Sequence, residues 1–597
     1  MYSAKDIVGR DTMSVIDKGG SIRKSFFWYP DKKDPKKIAP LSKHNAFRYV
    51  REFLPAFGFY KFREDDDEEN TPYLIVQKKG RRVKIIGSVK DDEISDEIFM
   101  WTESTLKYLA GIAGDINLTH LIERLHSQTA LFTKWTLKFL PDLPTVEAEV
   151  EGVLQSVPQR PLRDRDDQAH VCFENGVVVL TKNKTPTLVP YSTLPPFLFV
   201  WDKQVRPAVF NEESLEEGPH GHWWDFLQNL AQEKKQGKWV VNHGMLQTLV
   251  SSYGYLLHNF YPPENRRAIV FYDRTTEWKA GGNGKSIVAK SFKHIKPWHF
   301  VDMKKEKSGD NRFLMSGFTP DKEIVVLSDT RKEFDLESIY NQITDGFTLE
   351  DKGVAKLVIP EDRAPKTIIT TNYTIDASAR SDRRRLWFVP ISTYYGEQEE
   401  LTGKTPADFH GGRLLDKHIW DEKEWGAFYT TCVYCLDQYL KHGLQKFDDN
   451  VLQERQLLKV VYGDQTLLEE LTSFIEEVVK NGGEVSKEEV VAFYTYHPEF
   501  ERFTGYKSNW KTTTFKKVCA GLGYRINPDR EGNRWLKSVN GENKDFYQVV
   551  PQEGAVKGVL STDTEEAASE PAAPPVVENG RFSQFFFGDD LKEDDDK

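Results

Sequence analysis

The segment that most constrains the fold is KAGGNGKSIVAK, at residues 279–290. An apolar run, RRAIVFY at 266–272, precedes it, and the helix-forming run SIVAK follows its last glycine. Because β-branched and aromatic runs are typical of buried strands, the pattern predicts a strand, a tight loop and a helix in succession. Such a loop can turn its backbone N–H groups inward around a phosphate, and Lys285 adds a positive charge.

The predicted phosphate cradle consists of six consecutive residues: Gly281, Gly282, Asn283, Gly284, Lys285 and Ser286. A strict P-loop begins with a glycine five positions before the glycine of the Gly-Lys pair, and Lys279 occupies that position here. The alternative is a glycine-rich loop that contains Gly-Lys-Ser by chance. The loop is expected to be a surface turn, so if it is a P-loop, replacing Lys285 with alanine should abolish ATP hydrolysis and leave the fold intact.

Two more apolar runs end in polar residues that suit a phosphate site. KEIVVLSDT ends beside Asp329, and KTIITTNY carries Asn372 at its end. An acid at a strand tip beside the cradle can hold Mg²⁺ and polarise an attacking water, and a neutral amide can orient that water. The alternatives are an ordinary loop aspartate and a turn asparagine, but the order and strand-tip positions of the two residues favour a common site.

The segment SDRRRLWFVPI places Arg384 and Arg385 directly before another apolar strand. A guanidinium group suits the stabilisation of charge on a transferring phosphoryl group, and the alternative is a solvated basic turn.

Residues 344–360, TDGFTLEDKGVAKLVIP, predict a hairpin whose turn at Gly353 is flanked by Lys352 and Lys356. Lysines near such a tip can pair with nucleic-acid phosphates, and the alternative is a solvated surface hairpin.

Taken together, GGNGKS, VVLSD, ITDGFTLEDKGVAK, IITTNY and DRRRLWFVPI resemble the motifs of superfamily 3 DNA helicases. The likeness is greatest to the branch of phage and plasmid primase-helicases and their poxvirus relatives, and it covers about residues 165–395. FENGVVVL resembles the small module that precedes the helicase core in that branch. The resemblance implies an α/β, AAA+-like core that uses ATP and Mg²⁺.

The resemblance also implies roles for the candidate residues. Mg²⁺ would be held by Ser286 and Asp329, and single-stranded DNA would be gripped by Lys352 and Lys356 in the central channel of a homo-hexamer. Asn372 would sense the nucleotide, and Arg384 or Arg385 would reach the ATP of a neighbouring subunit. The implied catalytic set is Lys285, Asp329, Asn372, Arg384 and Arg385.

Composition shifts and motifs divide the 597 residues into six expected segments. They are an N-terminal α+β domain of unassigned role (1–160), a module preceding the helicase core (165–265), the AAA+-like core (266–395), a helical connector (396–464), a winged-helix-like domain (465–550), and a disordered linker with an acidic aromatic tail (551–597). In the fifth segment, SNWKTTTFKKVCAGLGY predicts a basic helix and RINPDREGNRWLK a basic hairpin. These could lie along duplex DNA or pack against the core or a partner.

The sequence also indicates the cellular compartment of the protein. No apolar run approaches the roughly 20 residues that a membrane span needs, and the first residues lack the apolar core of a signal peptide. Four cysteines in 597 residues do not make a disulfide framework, which favours a reducing environment. We therefore expect a cytoplasmic protein of the host-cell interior that has no membrane partner.

The function expected from these features is that of an ATP-dependent replicative DNA helicase of a virus or mobile element, hexameric and acting on single-stranded and forked DNA. One alternative is a primase-polymerase fused to a helicase, and another is an origin-binding loader ATPase without unwinding activity. Residues 581–597, RFSQFFFGDDLKEDDDK, are expected to recruit a clamp, a polymerase or a single-strand-binding protein, or merely to solubilise the chain.

Overall fold

The structure is a computed structural model that describes residues 1, 27–29, 31–34, 37–63, 73–88, 93–113, 116–150, 152–261, 266–275, 281–304, 318, 322–330, 339–340, 343, 346–349, 357–359, 361, 364–373, 380–461, 465–496, 506–528, 535–539 and 542–551. The chain divides into two compact units. The first contains residues 1–180 and 186–210, and the second contains residues 181–185 and 211–597.

The first unit combines helices with sheets that contain both antiparallel and parallel strand pairs. A five-stranded sheet has the order Phe59–Phe62, Leu74–Lys79, Arg82–Ser88, Leu198–Trp201, Arg160–Pro161. A four-stranded sheet has the order Val205–Arg206, Gln168–Phe173, Gly176–Thr181, Thr187–Val189, and Val146–Val150 pairs with Val153–Val157. The helices are Lys43–Arg48, Tyr49–Phe53, Leu54–Ala56, Ile94–Ala113, Ile116–Ser127 and Lys134–Leu137, with single 3₁₀ turns at Thr129–Leu131, Tyr191–Thr193 and Asp202–Gln204.

The boundaries of this unit differ from those expected from the sequence. Strand Leu198–Trp201 pairs in parallel with both Arg82–Ser88 and Arg160–Pro161, so residues of the expected 165–265 module complete the sheet of the N-terminal segment. The division falls at residues 210/211, within that expected module. Segment composition did not reveal this arrangement because strand pairing between distant residues leaves no local pattern.

The second unit is built on a parallel sheet, which confirms the mixed α/β class. Its five strands, in chain order, are β1 (Ala268–Asp273), β2 (Trp298–Asp302), β3 (Ile324–Thr330), β4 (Lys366–Thr371) and β5 (Leu386–Ile391). They are arranged in the spatial order β2-β3-β4-β1-β5, and all neighbours are parallel. Every residue of β1 and β4 is buried, as expected for central strands covered on both faces.

Helices surround this sheet and continue beyond it. They are Ser214–Glu217, Gly221–Leu230, His243–Leu257, Lys285–Ser291 with a 3₁₀ turn at Phe292–His294, Arg380–Arg385, Tyr394–Thr402, Pro406–Phe409, Glu422–His442 and Asn450–Val460. Strands Gln232–Lys235 and Lys238–Val241 form an antiparallel pair. Helix Glu422–His442 begins at Asp421, whose side chain accepts a hydrogen bond from the backbone N–H of Glu424, and most of its length is buried. Within the described part of the chain, none of the helices has the length and apolarity of a membrane span.

The last part of the second unit contains helices Gln465–Lys480, Lys487–Tyr496 and Ser508–Gly521 and strands Glu484–Ser486, Tyr524–Ile526, Trp535–Val539 and Glu542–Pro551. The long last strand pairs antiparallel with each of the other three. Leu471, Ile475, Phe515 and Val518 contribute to the core between helices and sheet. Residues 552–597 lie outside the described residues.

Candidate nucleotide-binding site

The parallel sheet brings the cradle, Asp329 and Asn372 to one edge. Since all five strands are parallel, their carboxyl ends meet at the same edge, which is where α/β sheets bind ligands. The register pairs Thr371 with both Tyr272 and Thr330, so the ends of β3, β4 and β1 lie side by side. With neighbouring strands roughly 4.8 Å apart, Asp329 and Asn372 fall within about two strand spacings of the end of β1.

The cradle leaves β1 and enters helix Lys285–Ser291, as the sequence predicts. The backbone conformation of the loop favours glycine at two positions. Gly282 and Gly284 have φ angles of 75° and 97°, in the left-handed region that favours glycine. A Cβ atom at Gly284 would lie 2.9 Å from Leu230 Cδ2 and 3.0 Å from Phe226 Cζ. Helix Gly221–Leu230 therefore supports the loop from beneath, a role that no sequence pattern indicated.

Asn283 anchors the loop. Its side chain is buried, and its Oδ1 accepts a hydrogen bond of 3.0 Å from the backbone N–H of Gly396. Gly396 belongs to helix Tyr394–Thr402, which follows β5. The Asn283 side chain thus fixes the loop to the neighbouring helix through its oxygen.

Lys285 is not on a surface turn, and that expectation is wrong. Its side chain is 5% exposed and forms an ion pair with Asp273, the last residue of β1, whose side chain is completely buried. Replacing Lys285 therefore disturbs the interior as well as the cradle. Asp273 was missed as a site residue, although it ends an apolar run in the same way as the two strand-tip residues that were identified.

Asp329 has a strained backbone at the tip of β3. Its φ is 56°, in the left-handed region, and the register between β3 and β4 shifts between Leu327 and Thr330. The backbone N–H of Asp329 donates to Thr370 Oγ1 at 2.9 Å, and its carboxylate pairs with Lys304 Nζ at 3.1 Å. Bulges and left-handed non-glycine residues are frequent at functional sites, where they re-aim a side chain.

Asn372 follows β4 directly and is half-buried. The turn that holds it is fixed by Thr371, whose Oγ1 accepts a hydrogen bond of 2.9 Å from the backbone N–H of Tyr373. Thr371 Oγ1 also lies 3.2 Å from the carbonyl oxygen of Thr330, to which it can donate. The tips of β3 and β4, with Asp329 and Asn372, are thus tied together.

The donor set suits Mg²⁺. The Ser286 hydroxyl and the Asp329 carboxylate are hard oxygen donors, and Mg²⁺ is usually held by one or two carboxylates together with substrate phosphates and water. The described residues contain no group of three or more His, Cys, Asp or Glu side chains that could hold a metal ion by itself.

Arg384 and Arg385 lie at the opposite edge of the sheet. They end helix Arg380–Arg385 and precede β5, whose first residue, Leu386, pairs with Ala268 at the start of β1. The six residues of β1 span roughly 20 Å, so neither arginine can reach the cradle of the same chain. Arg384 is exposed, whereas Arg385 is partly buried with its guanidinium 5.1 Å from the centre of the Tyr340 ring.

The hairpin is confirmed in the parts that the structure describes. Phe347–Leu349 pairs antiparallel with Leu357–Ile359. Lys352 and Lys356 lie outside the described residues, so their proposed contact with DNA stays a prediction.

Three lysines of the 465–550 segment have polar partners within the protein. Lys511 is buried and donates to Thr495 Oγ1 at 2.9 Å. Lys537 pairs with Glu484, and Lys544 pairs with Glu488 at 2.7 Å. Because these acids already neutralise the two strand lysines, the described part of this segment offers less positive charge to duplex DNA than its sequence suggests.

Comparison with known proteins gives only distant likenesses. No family model and no curated protein matches the chain. Two structures of the C-terminal region of NrS-1 are 13% identical, cover 64% of this chain and 96% of their own, and have TM-scores of 0.25 and 0.27. A mutant of RuvB from Thermotoga maritima is 11% identical, covers 53% of this chain and 95% of its own, and has a TM-score of 0.19. TM-scores this low carry no argument about function, which must come from the geometry of the site.

Proposed function

We propose that this protein is an ATP-dependent DNA helicase that works as a ring of identical subunits. The observation that carries the proposal is the meeting of the glycine cradle, Asp329 and Asn372 at adjacent strand ends of a parallel sheet. These are the parts that nucleotide hydrolysis requires: a phosphate cradle with a cation, an acid for metal and water, and a neutral amide to orient that water.

In the proposed reaction, ATP is the substrate and its β- and γ-phosphates lie in the cradle. Mg²⁺, held through Ser286 and Asp329, would neutralise charge that develops on the phosphates. Lys285 would exchange its partner Asp273 for phosphate oxygens. Asp329 and Asn372 would orient the attacking water, and the left-handed backbone of Asp329 beside a register shift supports this role because such distortions are frequent at functional sites.

The position of the arginines supports a shared site. A guanidinium group that contributes to hydrolysis must reach transferring phosphate, and roughly 20 Å of strand separates Arg384 from its own cradle. A neighbouring subunit in a ring offers a cradle that this exposed side chain can reach. Hydrolysis at such an interface could move the 346–359 hairpin of one subunit relative to the next and so advance a bound strand.

The decisive experiment measures ATP hydrolysis and strand displacement on a forked duplex by the full chain. Lys285→Met should abolish both activities. Lys423→Met, an exposed lysine at the start of helix Glu422–His442, is the matched control and should retain both. ATP hydrolysis without strand displacement would favour a loader ATPase instead, and normal hydrolysis by Lys285→Met would refute the nucleotide site.

A mixing experiment tests the ring. Arg384→Ala and Lys285→Met should each be inactive alone, because every interface in a uniform ring is then incomplete. Equal mixtures under conditions of subunit exchange should regain hydrolysis at interfaces that pair an intact cradle with an intact arginine. An arginine supplied in trans contributes about 10³-fold or more to turnover, so a small restored fraction is measurable. Absence of recovery despite demonstrated exchange would contradict the shared site.

A further inference from the structure

A cavity of about 760 Å³ lies on the outer side of the helix that follows the cradle. One wall is the face of this helix and its 3₁₀ extension that carries Ile287, Lys290 and His294. The other wall is the segment 405–418, which leads into helix Glu422–His442. None of the predicted catalytic residues lines this cavity, so it is distinct from the candidate site at the sheet edge.

The rim of the cavity is strongly basic. It carries four exposed cations, Lys290, Lys293, Arg413 and Lys417, and a single acid, Asp416. Over the described ranges, none of the four cations is ion-paired with a carboxylate, and Asp416 Oδ1 accepts a hydrogen bond from the backbone N–H of His418. Four cations without a carboxylate partner around one opening give it a positive potential that attracts an anionic group.

The interior of the cavity is apolar. Leu414, Leu415 and Pro406 line it together with Ile287 and the indole of Trp425. Leu415 has a φ of 59°, an uncommon conformation for a leucine. A ligand that matches this cavity therefore needs an apolar or aromatic part next to a run of negative charge.

We propose that this cavity docks residues 581–597 of this chain. That segment, RFSQFFFGDDLKEDDDK, has four phenylalanines immediately followed by a block of acids, and its six acids and three cations give it a net charge of −3. The rings fill the apolar interior and the acids pair with the rim. A nucleic-acid strand fits less well, because it needs a continuous basic groove along its backbone, whereas these cations surround a single opening.

The linker that precedes residues 581–597 is long enough for this segment to reach the cavity. The 29 residues 552–580 have a composition that predicts a flexible linker, with a root-mean-square span of roughly 30 Å and a maximum of about 100 Å. A unit of this size has a radius of gyration of about 21 Å, so the segment can reach any point of its surface. Tethering raises the effective concentration to roughly millimolar, so even a weak intrinsic affinity fills the cavity.

The test uses the full chain with one environment-sensitive fluorophore on the segment. Its four native cysteines are all buried, so Gln584→Cys provides a unique labelling site beside the phenylalanines. Docking should shift the emission towards that of a buried dye, and high salt should reverse the shift because the contacts are ionic. The unlabelled peptide 581–597 should also reverse it by competition.

The cavity variant Arg413→Glu/Lys417→Glu should lose the shift, or let the competing peptide displace the segment at an about tenfold lower concentration. The matched control is Lys507→Glu/Lys517→Glu, which reverses two exposed charges outside the cavity and should leave the emission unchanged. Since the readout is fluorescence and not ATP hydrolysis, the result is independent of the proposed helicase function.

Two outcomes would overturn the proposal. An unshifted emission in the unaltered cavity would show that the segment does not dock. A shift that survives Arg413→Glu/Lys417→Glu and needs the same peptide concentration for its reversal would show that the segment docks elsewhere. If the emission is unshifted and the same charge reversals weaken binding of an oligothymidylate, the cavity is a nucleic-acid site instead.

Discussion

The ion pair between Lys285 and Asp273 predicts that the cradle lysine contributes to stability as well as to ligand binding. Both side chains are buried, and Asp273 is fully excluded from solvent at the end of the central strand β1. Lys285→Met keeps the length of the side chain but removes its charge, so the Asp273 carboxylate loses a cationic partner. Breaking a buried pair on one side costs about 3–5 kcal/mol, and we expect a loss near 3 kcal/mol for this strand.

A double-mutant cycle separates the contribution of the Lys285–Asp273 ion pair from other destabilisation that the substitution causes. Asp273→Asn removes the charge that Lys285→Met leaves behind, so the double variant should recover most of the lost stability, with a coupling energy of about 2 kcal/mol. The chain contains two compact units, so unfolding of the whole chain does not report on β1 alone. The stability of β1 should therefore be measured locally. Hydrogen exchange of the amides of Ala268–Asp273, followed by mass spectrometry, gives the opening free energy of β1 itself.

The control for the cycle is Lys423→Met, which removes an exposed charge and should change the opening of β1 by less than about 0.5 kcal/mol. If the β1 amides exchange as slowly in the Lys285→Met variant as in the unaltered protein, the buried ion pair does not stabilise the strand. The structural argument for Asp273 would then fail, whatever happens to nucleotide hydrolysis.

Three further predictions concern the surroundings of the site. Gly284→Ala should lower the free energy of unfolding by about 2–4 kcal/mol, since it combines a left-handed φ with a close approach to Leu230, whereas Gly281→Ala meets no atom within 4 Å and should cost little in the same urea titration. Lys304→Ala should raise the Mg²⁺ affinity of the nucleotide complex, because it frees the Asp329 carboxylate, and an unchanged Mg²⁺ titration would contradict the proposal that Asp329 is a metal ligand. Burial lowers the pKa of His410 to about 4, and its Nε2 lies 2.5 Å from a tyrosine hydroxyl, so its contribution to the unfolding free energy should be lost by about 3 kcal/mol as the pH falls from 6.5 to 4. In a pH series of urea titrations, His410→Gln should reduce the loss by about that amount, and the loss that remains belongs to other groups such as His294, whose pKa burial also lowers to about 4.

The local sequence pattern was enough to predict the elements of the candidate site. Apolar runs of β-branched residues identified the strands, and the residue that ends each run identified the strand tips where Asp329 and Asn372 lie. The strand–loop–helix unit around Lys285 and the antiparallel hairpin were likewise predicted, because each depends on residues close together in the chain. Side-chain periodicity and turn residues act over a few positions, so they can be read directly.

The tertiary structure alone decided which of these elements are neighbours. Insertion of β4 between β3 and β1 brings together Asp329, Asn372 and the cradle, which are separated by dozens of residues in the chain. The same arrangement buries Lys285 against Asp273, places Leu230 beneath Gly284 and sends Arg384 to the far edge of the sheet. None of these contacts has a local sequence pattern, because strand pairing and helix packing bring together residues that are far apart in the chain. Which residues meet is decided by the free energy of the whole folded unit. The pattern of a single sequence indicates which residues are buried but not which residues they contact.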